Sequence, residues 1–253
     1  MPYSNIEQIT PIMQEIVRRQ PKSMLDAGCG LGIYGMLARV QLDLYFDESF
    51  YLKLFREHRA DKRWEGVRID AIEGFQDYVD YIPDWVYDTV VVEDVRTALP
   101  KIPDGQYDIA LALAIIEHLD KKDGSEFLLQ LQRVSRVVIL SVPKNVSPQH
   151  APGNDFETHR SQWSKEDLIK LGAKRFIPHW GAWIAVFDPD EPLQQDTDEV
   201  SVEVSAQKVP LHELDNSIMS KLDQILDLQE TTLRSLGLRY RFKLFWKRLM
   251  GGA

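Results

Sequence analysis

The stretch Leu25-Asp26-Ala27-Gly28-Cys29-Gly30-Leu31-Gly32 sets an acid two positions ahead of three alternating glycines. Glycines at that spacing let the backbone turn sharply and let a ligand lie against the main chain with no Cβ in the way. The stretch follows a short apolar run, Lys22–Ala27, and precedes a segment of helical period, Ile33–Leu44. Ligands of open α/β sheets sit beyond the carboxyl ends of such strands. A tight strand-to-helix turn has purely structural uses too, so this loop alone names no ligand.

Three more segments place chemistry at the ends of apolar runs. Val67–Glu73 ends in Glu73-Gly74, with Asp70 inside the run and read as structural. Thr89–Val92 leads into Glu93-Asp94-Val95, and Asp108–Ala114 leads into Ile116-Glu117-His118-Leu119. Carboxylates so placed accept hydrogen bonds from hydroxyls and amines. Histidine is the side chain suited to taking a proton near neutral pH. His118 and His159 are the candidate catalytic bases, and His150 shares the loop of His159. Each also has a structural reading: His118 packs or caps the following helix, and His159 anchors its loop. Ser164-Lys165-Glu166-Asp167 has the form of a capping box that would end that loop. No His, Cys or Asp cluster has metal-ligand spacing, so no metal is expected.

The glycine spacing is G-x-G-x-G and not the G-x-G-x-x-G that sets a helix N-terminus against a pyrophosphate. With the acid before it, the stretch resembles motif I of class I, Rossmann-like methyltransferases that use S-adenosyl-L-methionine (SAM). Within that family the chain looks closest to bacterial small-molecule and glycan-type members. Arg68-Ile69-Asp70-Ala71-Ile72-Glu73 is similar to their "RIDGIE", with Ala71 for the usual glycine. His159-Arg160-Ser161-Gln162-Trp163-Ser164 is similar to their "HRSxWS", which continues through Asp167-Leu168. The resemblance covers roughly 24–187. It implies SAM as cofactor, held by Asp26, Gly28, Gly30, Glu73, Asp94, Val95 and Leu113. Asp26 would orient the amino-acid end, Glu73 the ribose hydroxyls and Asp94 the adenine amine. Val95 would pack on the ring, and Leu113 would lie nearest the methionine portion. The acceptor implied is a small polar molecule, such as a hydroxyl of a sugar or surface-glycan precursor. A methyltransferase-like scaffold without catalysis is the alternative. An NAD-type oxidoreductase is disfavoured by the glycine spacing and the adenine-side acid.

The elements that must position these residues alternate between helix and strand. A lead-in helix over 6–19 is followed by strands at 22–27, 67–73, 89–92, 108–114 and 136–142. A helix over about 124–135 precedes the last of these, and a terminal hairpin spans 173–178 and 183–187. Between Tyr45 and Trp64 lies an aromatic, charged insertion with a helix near 51–58. Alternation of this kind, with near-continuous apolar runs, predicts an α/β fold with a doubly wound, mostly parallel seven-stranded Rossmann-like sheet. The catalytic domain is expected over 1–188, an acidic linker over 189–210 and a helical extension over 211–253.

A net charge of −9 argues against a nucleic-acid substrate, which calls for a basic surface. The single cysteine, Cys29, cannot form an internal disulfide. No long apolar span and no secretory leader are read, so a cytoplasmic protein is expected. Leucine and isoleucine at helical spacing over 211–236 admit homo-oligomerisation through a short coiled coil, or docking on the main domain. From Arg239 onward there are five basic residues and no acid. In 238–250, Leu238, Phe242, Phe245, Trp246 and Leu249 share one helical face. Such a segment either lies on the inner face of an anionic membrane, packs on the protein, or forms a basic tail.

Overall fold

The computed structural model describes residues 6–44 and 66–194. The predicted insertion helix near 51–58, the linker beyond 194 and both C-terminal helices lie outside the described residues. The chain divides into two units at Gln195.

A 3-10 turn, Ile6–Gln8, opens into α1 (Ile9–Arg19), which ends at Gln20 in a left-handed conformation. Then come β1 (Ser23–Ala27), α2 (Ile33–Arg39) with a π-helical turn over Val40–Leu44, and β2 (Arg68–Glu73). These are followed by α3 (Gln76–Val79), β3 (Thr89–Val92), α4 (Val95–Ala98) and β4 (Tyr107–Leu113). The remaining elements are α5 (Lys121–Val134), β5 (Ser135–Pro143), α6 (Lys165–Lys170), β6 (Arg175–Ile177) and β7 (Ala182–Phe187).

The sheet order is β3-β2-β1-β4-β5-β7-β6. Strands β1 to β5 pair in parallel, whereas β7 runs antiparallel to both β5 and β6. This is the doubly wound, Rossmann-like sheet that the alternation predicts, closed by the expected hairpin. Strand order reverses between β1 and β4, and a crevice opens where their outgoing loops part.

Both faces of the sheet's central strands are covered. Along β4, Ile109, Leu111 and Leu113 join α1 and α2 residues such as Ile12, Ile16 and Ala38. Ala110 and Ala112 face the opposite core, with Val95, Phe127, Leu131 and Leu168. In β5, Val138, Leu140 and Val142 alternate with Val137 and Ile139 in the same way. A strand that is apolar at every position is what burial on both sides requires.

Two details depart from the sequence expectation. Helix α5 begins at Lys121, not 124, and runs into β5 with no loop, because Ser135 bonds back to the Leu131 carbonyl (2.7 Å) while opening the strand. The acids after Phe187 are clasped by the body as far as they are described. Arg19 holds Asp188 and Glu191 at 2.5 and 2.6 Å, and the Gln194 N–H donates to Lys174 O at 2.7 Å. No helix among the described residues is long and apolar enough to cross a membrane.

Candidate functional site

The loop after β1 turns on three left-handed glycines: Gly28 (φ 75°), Gly30 (54°) and Gly32 (76°). At Gly28 the restriction is spatial as well, since a Cβ would stand 2.3 Å from Ile115 Cδ1. The loop is hung from β2. The Gly28 and Cys29 N–H groups donate to Ile72 O at 2.8 and 3.2 Å, and Gly30 N–H donates to Glu73 Oε2 at 2.8 Å. Glu73 Oε1 accepts from Phe75 N–H at 3.0 Å. Burial pushes this carboxyl above its ordinary value, against the lowering effect of those N–H groups. A carboxylate has about four acceptor positions, so Glu73 keeps capacity for a ligand beyond these N–H groups.

Asp26 stands beneath the loop and does not line the crevice. It is buried, and Tyr87 Oη donates to its Oδ2 at 2.7 Å. Burial pushes its carboxyl up to about 6, with Tyr87 opposing. The Tyr87 ring in turn packs against Gly35, where a Cβ would come within 2.2 Å. Burial also raises the Cys29 thiol far above its ordinary value, so it stays protonated at neutral pH.

Asp94 caps α4 by accepting from Arg96 N–H at 2.8 Å, and it also pairs with the Arg96 guanidinium at 2.7 Å. That hydrogen bond, outweighing partial burial, lowers its carboxyl. Arg96 reaches on to Asp123 at 2.8 Å.

A cavity of about 480 Å³ opens at the switch point, within the range that holds drug-sized ligands. Gly28, Gly30, Glu73, Asp94, Val95 and Leu113 all line it, so six of the seven residues expected around a cofactor are brought together. His118 lines it too, together with Asp120, Phe156 and Glu157, and the Phe156 ring packs against Gly74 beside Glu73. His159 does not line it, but its ring centroid is 4.9 Å from that of His118. His150 is turned to Thr158 Oγ1 at 3.2 Å.

The loop bearing His159 is pinned on its C-terminal side. The capping box is present: Ser164 Oγ accepts from Asp167 N–H (3.2 Å) and Asp167 from Ser164 N–H (3.1 Å). Upstream, Arg160 and Ser161 N–H both donate to Glu117 O, at 2.8 and 3.1 Å. Burial pushes the Glu117 carboxyl up to about 8 and lowers the His118 imidazole, against a raising effect of Glu157 on the latter.

Sequence reading missed Tyr87, Arg96 and Glu157, and it quoted Glu117 without giving it a role. Tyr87 precedes β3 and meets Asp26 only through the fold. Arg96 was in view, two residues after Asp94, where a side chain that can fold back on a capping acid is a readable signal.

No family model and no curated protein matches the chain. Among solved structures, it is similar to the PH0226 protein from Pyrococcus horikoshii OT3 at 13% identity. That match covers 73% of this chain and 89% of the other, with a TM-score of 0.49. Magnesium protoporphyrin IX methyltransferase from Synechocystis PCC 6803, crystallised with bound SAM, shares 14% identity over 71% of this chain and 77% of its own, TM-score 0.46. The N-terminal domain of EvdMO1, crystallised with SAH and D-fucose present, shares 13% over 73% and 84%, TM-score 0.46. At identities this low, the site's own residues must decide its chemistry.

Proposed function

We propose that this chain is a SAM-dependent methyltransferase acting on a small polar acceptor, with a hydroxyl of a sugar or surface-glycan precursor as the acceptor group. The observation that carries the reading is the crevice at the switch point, framed at successive strand ends by Gly28 and Gly30, Glu73, and Asp94 with Val95.

The lining fits that cofactor better than a dinucleotide. Its acids are Glu73, Asp94, Asp120, Asp155 and Glu157, and its two arginines are already paired: Arg96 with Asp94, and Arg160 with Asp155 at 2.6 Å. A wall of that sign repels a pyrophosphate and attracts a cation with hydroxyl and amine donors. Bound there, SAM supplies a methyl carbon already activated on a sulfonium. Glu73, fixed by two backbone N–H groups, accepts from the ribose hydroxyls. Asp94 accepts from the adenine amine and Val95 packs on the ring. Leu113 borders the methionine portion, and Asp26 acts from below by holding Tyr87 and the loop. His118 and the loop after β5 close the acceptor end and exclude water.

Calorimetric titration tests the cofactor. Micromolar SAM binding that NAD does not displace is the expected result, and absence of heat at millimolar SAM would end the reading in favour of a scaffold. A screen of sugars and nucleotide sugars for SAM-dependent gain of one methyl mass then tests the acceptor class. The basic, aromatic 238–250 segment supports a place at an anionic membrane surface. Flotation with anionic liposomes should need it, and a chain ending at Gly237 that floats equally well would remove that placement.

A further inference from the structure

Glu117, His118 and His159 come together only through the fold. One ligand atom from each lies within 4.8 Å of the other two. Glu117 is 1% exposed, yet its Oε2 has no hydrogen-bond partner among the described residues. A buried carboxyl oxygen without a partner carries a desolvation cost.

The two imidazoles are oriented alike. His118 Nδ1 lies 3.3 Å from Thr158 O, and His159 Nδ1 lies 2.5 Å from Ser147 O. A carbonyl only accepts, so the proton of each neutral ring is assigned to Nδ1 and the lone pair to Nε2. Metal-ligating histidines are held in this way, one nitrogen donating to an outer oxygen and the other free to coordinate. The backbone around them is already in place, because Arg160 and Ser161 bind the loop of His159 to the Glu117 carbonyl.

We propose that Glu117, His118 and His159 bind one divalent transition-metal ion through a carboxylate oxygen and the two Nε2 atoms. Two imidazoles and one carboxylate suit Zn²⁺, Mn²⁺, Fe²⁺ or Co²⁺, whereas Ca²⁺ and Mg²⁺ prefer sites made wholly of oxygen. Bonds of about 2.0–2.2 Å put tetrahedral ligands roughly 3.4 Å apart, so the three side chains need only small rotations to close on an ion. Three protein ligands leave positions open, beside a cavity that His118 itself lines.

The use of those positions rests on the methyltransferase reading. An acceptor hydroxyl that joins the ion gives up its proton to water more readily, leaving an oxygen lone pair ready as nucleophile. His118 and His159 then act as ligands, in place of the free bases that the sequence predicts, and Glu117 joins them.

The test uses the full chain, stripped with a chelator and titrated with Co²⁺ alone. Visible d–d bands saturating at one equivalent and displaced by Zn²⁺ are expected. Glu117→Gln and His159→Ala should each weaken Co²⁺ at least tenfold, while His150→Ala, in the same loop, binds like wild type. Far-UV circular dichroism confirms that each variant is folded. Absence of bands, or equal affinity in all three variants, overturns the proposal. SAM binding without Co²⁺ bands refutes the metal site alone. Co²⁺ bands without SAM binding uphold the site and refute the methyltransferase reading.

Discussion

Glu73 and His118 line the same cavity, yet their settings are fixed by different means. Around Glu73, strand ends and left-handed glycines set the geometry, and the carboxylate is held by the N–H groups of Gly30 and Phe75. Around His118, side chains from the 3-10 turn Ile116–His118 meet a long loop, and the contacts run through carbonyls of Thr158, Ser147 and Glu117. The first setting is part of the sheet and resists change as the sheet does. The second can vary in loop sequence while the fold stands, which is where substrate choice is ordinarily written.

Breaking the rigid setting should cost most. Glu73→Ala removes the proposed ribose acceptor and leaves Gly30 N–H unpaired, so SAM affinity should fall about 100-fold, from roughly 3 kcal/mol of lost charge-assisted bonds. Calorimetry reads it, and a change under threefold would mean that Glu73 faces no ligand.

Asp26 sharpens the contrast, because it supports the loop without touching the crevice. Burial holds its folded pKa at about 6, above the ordinary aspartate value of 3.8. Below pH 4 both states hold the proton. As pH rises through 4 to 6, the unfolded chain loses it first, and wild type loses stability. Asp26→Asn has no such loss, so its stability relative to wild type should rise by up to roughly 3 kcal/mol between pH 4 and 7. Urea unfolding at the two pH values measures the shift, and parallel behaviour would contradict the burial argument.

Gly35→Ala drives a Cβ into the Tyr87 ring and should cost about 1–3 kcal/mol by overpacking. Thermal unfolding would report it, and an unchanged midpoint would show that Tyr87 moves freely. Arg96→Ala is the mildest change. Its guanidinium is half-exposed, so stability should fall by less than about 1 kcal/mol. A larger loss in urea unfolding would show that Asp94 depends on Arg96 for more than an exposed pair supplies.

The same contrast sets what the sequence made legible. Gly28, Gly30, Glu73 and Asp94 each sit beside a strand that the apolar pattern locates, so register alone carries them to one crevice. The Ser164–Asp167 capping box was readable because cap and partner are three residues apart. His159 beside His118, and Glu117 with its lone oxygen, were not readable. Nothing local fixes how the loop after β5 folds back, and closure of that loop makes the cluster. The pairing of Asp26 with Tyr87 was hidden for the same reason. Sequence patterning places both near the sheet, but only the packed core turns the hydroxyl onto the carboxylate.

A crystal structure with S-adenosylhomocysteine tests the central claim most directly. The account predicts the nucleoside in the crevice, both ribose hydroxyls within about 2.5–3.0 Å of Glu73 oxygens and the adenine amine on Asp94. A ligand seated elsewhere, or Glu73 bound only to Gly30 and Phe75 with the crevice filled by solvent, would contradict it.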